Sequence, residues 1–193
     1  MTGMVALAAA SVTVPEFFVI GFQHIIPHGW DHVLFILGLF FLTRSFSVLL
    51  VQLTLFTLAH SLTLGLSLYG VISVPMQWVE VAIAMSIVFV AAENIYHDKP
   101  SRWRPAVVFL SGLIHGMGFA HAFGENRIAP GDFLPALFSY NLGIELGQIV
   151  VVGLAYAAVA LWWKRDEYRK LVARPASVMI AISGIFWAVE RGL

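Results

Sequence analysis

Cysteine is absent from this chain of 193 residues. That excludes disulfides and thiolate metal sites, and leaves only imidazole and oxygen ligands for any metal, a set that suits Ni, Co, Zn, Cu(II) or Fe. Charge is nearly as scarce: 11% of residues are charged against 60% hydrophobic, and the formal net charge is zero. A soluble domain carries about 25% charged residues, and the mean hydropathy here is +0.86, so this is an integral membrane protein in contact with a lipid bilayer. No basic surplus points to nucleic acid as a partner. No P-loop motif is present, so ATP hydrolysis by this chain is not expected. The first eleven residues lack a basic n-region and are too short for a signal peptide with its own apolar core.

What remains is apolar sequence in blocks. A helix needs roughly 20 apolar residues to cross a bilayer, and six candidate spans follow: about 17–43, 46–70, 76–96, 103–124, 133–163 and 173–191. The expected fold is all-α, a single polytopic transmembrane domain of about six helices. Pro27 favours a helix start and Gly29 loosens the turn, so 15–26 reads as a separate interfacial or re-entrant piece. Basic residues set the orientation. Arg44, then Lys99, Arg102 and Arg104, then Lys164, Arg165, Arg169, Lys170 and Arg174 fall in odd-numbered loops, and Arg127 alone in an even one. Odd loops are therefore expected in the cytoplasm and both termini outside it.

Residues 83–94 (IAMSIVFVAAEN) and 180–191 (IAISGIFWAVER) share Ile, Ala, Ser, Phe, Ala and Glu at the same offsets. Chance agreement of two apolar helices is one reading. A 3+3 inverted repeat, with a site near the midplane, is the other.

Polar residues stand out against this background. His24, His28, Asp31 and His32 lie within nine residues at the mouth of a membrane-type helix. His28 and His32 are four apart and share a helix face, with Asp31 close by. His24 joins them only if the helix continues through Pro27. Capping and headgroup contact is the plainer explanation for such residues near a helix start. His60 and His115 sit inside later apolar segments, where an interhelical hydrogen bond is the alternative to ligation. Gly112, Gly116 and Gly118 around His115 invite close helix approach. His121 is nearer the surface, a gate ligand or merely interfacial.

Asn141, Glu145 and Gln148 form a polar stripe at i, i+4 and i+7, with Gly143 and Gly147 as a second, close-packing stripe. Counted from span ends, His32, His60, His115 and Glu145 share one depth. No Lys or Arg lies in the interior of their segments, so these groups are expected to lack a basic partner and to need a metal ion or a proton. Glu80, Glu93 and Glu190 lie near span ends and read as interfacial.

The stretches GFQHIIPHGWDHVLF, FTLAHSLTL, GLIHGMGFA and NLGIELGQ resemble the HupE/UreJ family, bacterial permeases associated with hydrogenase and urease maturation. The resemblance runs through nearly the whole chain, and Asp31-His32 is its most specific element. It implies six spans in the bacterial inner membrane and uptake of nickel or a similar divalent metal. Asp31 and His32 would then be transport ligands, preceded by His24 or His28. Pro27 precedes His28, and His121 is followed by Ala, which marks a divergent branch.

Three functions follow as expectations. In a divalent transition-metal permease (Ni, Zn, Co, Cu or Fe), Asp31, His32 and His28 capture the ion, His60, His115 and Glu145 hold it at the centre, and Glu93 assists release. In an intramembrane zinc-type hydrolase, the same cluster holds the metal and Glu145 is the general base. In an assembly protein, the polar groups only join helices. The sequence is compatible with a homo-oligomer.

Overall fold

The computed structural model describes residues 12–43, 45–124, 131–163, 165 and 167–193, and the side chains of 119–124 are outside that description. Arg44, Arg127, Lys164, the His121 side chain and the first eleven residues therefore lie outside the described residues. The chain is all-α: α1 Val14–Ile25, α2 Trp30–Leu42, α3 Phe46–Leu68, α4 Met76–Tyr96, α5 Arg104–Gly124, α6 Phe133–Val159 and α7 Arg174–Gly192, the last preceded by a π-helical turn at Arg169–Ala173. α3, α4, α6 and α7 (the last counted with its π-helical turn) are each long and apolar enough to cross a membrane, and α1 with α2 forms a fifth, broken candidate bent by 67°. α5 runs for 21 residues. The six-span expectation thus meets four to five candidates among the described residues. The difference lies at the broken first span and at α5, whose last six side chains are not described.

The break falls where Pro27 and Gly29 interrupt the helix. α1 begins at a cap in which Glu16 reaches back to accept from the Thr13 backbone N–H at 2.7 Å and its hydroxyl at 2.9 Å, a capping-box arrangement. It stops at Ile25, before the cis Ile26–Pro27 peptide. At Gly29 a Cβ would lie 2.1 Å from the His24 carbonyl oxygen, so only glycine lets the chain fold back this tightly.

Three helix pairs surround α2: α1 on α6, α3 on α5, and α4 on α7. Two of them close through the glycine stripes, and α4–α7 through Gly184. A Cβ on Gly143 would strike the Phe18 carbonyl at 2.1 Å, one on Gly116 the His60 carbonyl at 2.1 Å, and one on Gly184 the Val88 side chain at 2.8 Å. Where lipid supplies no hydrophobic drive between helices, such small-residue contact is what holds them. α2 buries Phe35, Ile36, Leu39 and Phe40 at the centre. Leu58, Leu62, Phe138, Leu142, Ile182 and Phe186 face outward and are exposed, the apolar exterior a bilayer requires.

The similar segments 83–94 and 180–191 lie on the paired helices α4 and α7. Ile83 and Ile180 are both buried, and Phe89 and Phe186 are both exposed. The matching acids differ: Glu93 is buried and Glu190 is exposed.

The Arg104 end of the bundle is locked by charge. Arg104 is 1% exposed and donates to Glu93 Oε2 at 2.6 Å, to the Gly38 carbonyl at 3.0 Å and to the Leu39 carbonyl at 3.2 Å. Glu93 also accepts from the Ser101 backbone N–H at 2.8 Å, and Asn94 donates to the Gly38 carbonyl at 2.7 Å and to Ser177 Oγ at 3.1 Å. These bonds tie α2, α4, α5 and α7 together. Glu93 is thus an ion-paired lock residue rather than an interfacial acid.

Candidate metal centre

In an unbroken helix, residues eight apart stand about 12 Å from one another along the axis. The bend between α1 and α2 instead brings the His24 and His32 rings to 4.6 Å between centroids. His60 enters from α3, with its ring centroid 5.7 Å from those of both His24 and His32. One ligand nitrogen from each of these three side chains lies within 4.8 Å of the others, a spacing a single ion can draw together. α5 adds His115, its ring 4.8 Å from His32. Four helices therefore bring four histidines together, two of them fixed by one glycine contact: Gly116 seats α5 directly on the His60 carbonyl.

Hydrogen bonds set two of the tautomers. Ser86 Oγ donates to the Ile83 carbonyl at 2.7 Å and lies 3.1 Å from His115 Nε2. A hydroxyl has one hydrogen, so Nε2 is the donor in the second bond and His115 Nδ1 carries the lone pair. Nδ1 is buried with no partner among the described residues. An outer-shell bond that fixes ring orientation in this way is what metal-binding histidines generally require. At the mouth, exposed His28 donates from Nδ1 to the Gln23 carbonyl at 3.2 Å, which leaves Nε2 with its lone pair. His60 is fully buried, and neither of its ring nitrogens has a hydrogen-bond partner among the described residues. A buried polar group left in this state costs about 1–3 kcal/mol.

A cleft of about 180 Å³ leads to this group from the Met76 end of the bundle, and His24, His28, Asp31, His32 and His115 line it. Asp31 stands at its wall in the first turn of α2 and pairs with Arg191 at 3.1 Å. Glu80 lines the same cleft. On the other side of the cluster, Phe35 and Phe56 close over His115, with ring centroids at 5.5 and 5.1 Å, and the Arg104 lock lies beyond them.

Of the residues expected from sequence, His24, His32 and His60 meet, His115 adjoins them, and His28 and Asp31 line the approach. Glu145 is not brought into this group. It is half-buried on α6 and accepts from Thr54 Oγ1 at 2.6 Å, while Gln148, farther along the stripe, accepts from Thr57 Oγ1 at 3.2 Å. Glu145 and Gln148 thus meet the threonines of α3, while Asn141 donates to the Leu137 carbonyl of its own helix at 2.7 Å.

Asp31 and Glu93, which were outside the group expected to lack a basic partner, are ion-paired: Arg191 pairs with Asp31, and Arg104 with Glu93. Both arginines sit at helix ends, and their long side chains reach back along the helix to the acids. Sequence reading missed Arg104, Arg191 and Ser86.

The family model described as HupE / UreJ protein matches residues 2–191, nearly the whole chain. No curated protein and no solved structure matches it. The chain belongs to the HupE/UreJ family.

Proposed function

We propose that this HupE/UreJ protein is a permease for a divalent transition-metal ion, loaded through the Met76-end cleft and held by His24, His32 and His60 with His115 beside them. One observation carries the reading: His60 is fully buried, makes no hydrogen bond to the described residues through either ring nitrogen, and lies within ligand reach of two further histidines. A dication bound there supplies the partner that the protein withholds. Neutral imidazoles with no thiolate suit Ni, Co, Zn or Cu(II), and the family supports a nickel-like cargo. By the distribution of basic residues the cleft opens outside the cytoplasm and the Arg104 lock faces inward, so the arrangement is open outward and closed inward. His28 and Asp31 are the first ligands an arriving ion meets.

The hydrolase alternative finds no support in the arrangement. Its proposed base, Glu145, is engaged with Thr54 away from the cluster, and Ser61 donates its hydroxyl to the Thr57 carbonyl at 2.6 Å. The permease reading is tested by uptake of Ni²⁺, Co²⁺ and Zn²⁺ into proteoliposomes. Saturable uptake of at least one ion, lost in His32→Ala, is the expected result. Uptake at the wild-type rate in His32→Ala contradicts the proposal.

A further inference from the structure

We infer that Arg191 is a resident cation that an entering divalent ion must displace from Asp31, and so sets the affinity of the cleft. The inference rests on the permease reading and assigns a regulator to the same site. Arg191 Nη2 lies 3.1 and 3.3 Å from the two carboxylate oxygens of Asp31. Its guanidinium lies 5.1 Å from the centroid of the Trp187 ring on its own helix, which holds the side chain over the cleft. Both partners of the pair are largely buried, at 21% and 27% exposure, so water screens the attraction less than at an open surface.

The position gives the pair its meaning. Asp31 immediately precedes His32, so its carboxylate is the oxygen ligand nearest the buried imidazoles in sequence, and Arg191 holds it. A monovalent cation that replaced Arg191 would exchange one charge for another and forfeit the N–H···O bonds. A divalent transition metal gains a second charge and the imidazole nitrogens behind Asp31. Once displaced, Arg191 remains in a cleft that also contains Glu80, a second carboxylate available to the same guanidinium. Arg191 is therefore a positioning and selectivity residue rather than a ligand.

The test is Ni²⁺ binding to the purified full chain in detergent, by equilibrium dialysis, for wild type, Arg191→Met, Arg191→Lys, Asp31→Asn, the Asp31→Asn/Arg191→Met double variant and His60→Ala. Arg191→Met retains the packing on Trp187 without the charge and is expected to bind Ni²⁺ about tenfold more tightly, the change that corresponds to about 1.4 kcal/mol. Arg191→Lys retains the charge and stays near wild type, which also separates charge from folding. In the Asp31→Asn background the gain disappears, because the double-mutant cycle removes the pair it depends on. Equal or weaker binding by Arg191→Met, or a gain that persists without Asp31, overturns the inference while leaving the histidine site intact. Wild type and His60→Ala binding Ni²⁺ alike overturns the permease site and the inference together.

Discussion

The two ends of α2 carry opposite kinds of polar chemistry. At Gly38 and Leu39, the backbone carbonyls accept from a buried arginine whose charge is matched by Glu93 at 2.6 Å, and Asn94 and Ser177 extend the network. At Asp31 and His32, a short helix away, the neighbouring His60 is buried with neither ring nitrogen bonded to a described residue, and His115 Nδ1 and His32 Nε2 are also buried without a hydrogen-bond partner among the described residues. Burial is comparable at the two ends, and Arg104 Nε also lacks a hydrogen-bond partner among the described residues, but the Arg104 charge is matched by Glu93, whereas neither His60 nitrogen is bonded within the described residues. Polar atoms in a membrane interior are expensive unless paired. A network whose charges are matched acts as a lock, whereas His24, His32 and His60 bring ligand nitrogens within 4.8 Å of one another, within reach of a single ion. Helix α2 joins the two.

The largest break in this comparison is Arg104→Gln. It leaves the Glu93 carboxylate buried without its charge partner, and removing one partner of a buried pair costs about 3–5 kcal/mol. Unfolding in detergent should register that loss, while the fraction still folded binds Ni²⁺ as before. Unchanged stability would show that the Arg104 network is not a lock. Next is His60→Ala, for which Ni²⁺ affinity should fall about 100-fold, equivalent to about 2.7 kcal/mol, with a smaller drop in unfolding midpoint than Arg104→Gln gives. The reverse pattern would merge the two ends into one structural role.

Gly116→Ala affects both packing and site. Its Cβ would fall 2.1 Å from the His60 carbonyl and 2.3 Å from Thr63 Oγ1, so α5 must move away from α3, at a cost of about 1–3 kcal/mol. Because His60 and His115 separate in the same movement, weaker metal binding should accompany the lower stability. The smallest effect is expected for Glu145→Gln. The amide oxygen can still accept from Thr54, and Ni²⁺ affinity should stay within about twofold of wild type, a few tenths of a kcal/mol. A tenfold loss would bring Glu145 into the site.

Most of the helices were legible in the sequence, because length and hydropathy are local properties. α4 spans Met76–Tyr96 as expected, α3 and α5 differ from their expected bounds by one or two residues, and the interruption near Pro27 and Gly29 is present. The glycines beside His115 and Glu145 also packed as their spacing suggested. Convergence was only partly legible. His24 was expected on the His32 face only if the helix continued through Pro27. The structure brings them together because the helix does not continue: across the 67° bend between α1 and α2 the two rings meet at 4.6 Å. Glu145 shared the depth of the histidines but not their direction. A stripe at i, i+4 and i+7 identifies one helix face and leaves open which neighbour it meets, and here it meets Thr54 and Thr57. Arg104 was read only as a loop charge and Arg191 was not singled out, since their reach into the bundle depends on rotamers and on which helices pack alongside.

The most direct test of the central claim is X-ray absorption of the Ni²⁺- or Zn²⁺-loaded protein, wild type beside His60→Ala. The histidine cluster predicts a first shell dominated by imidazole nitrogens, at about 2.0–2.1 Å for zinc, with the imidazole scattering diminished or the metal absent in His60→Ala. An oxygen-only shell that is the same in both proteins would contradict it.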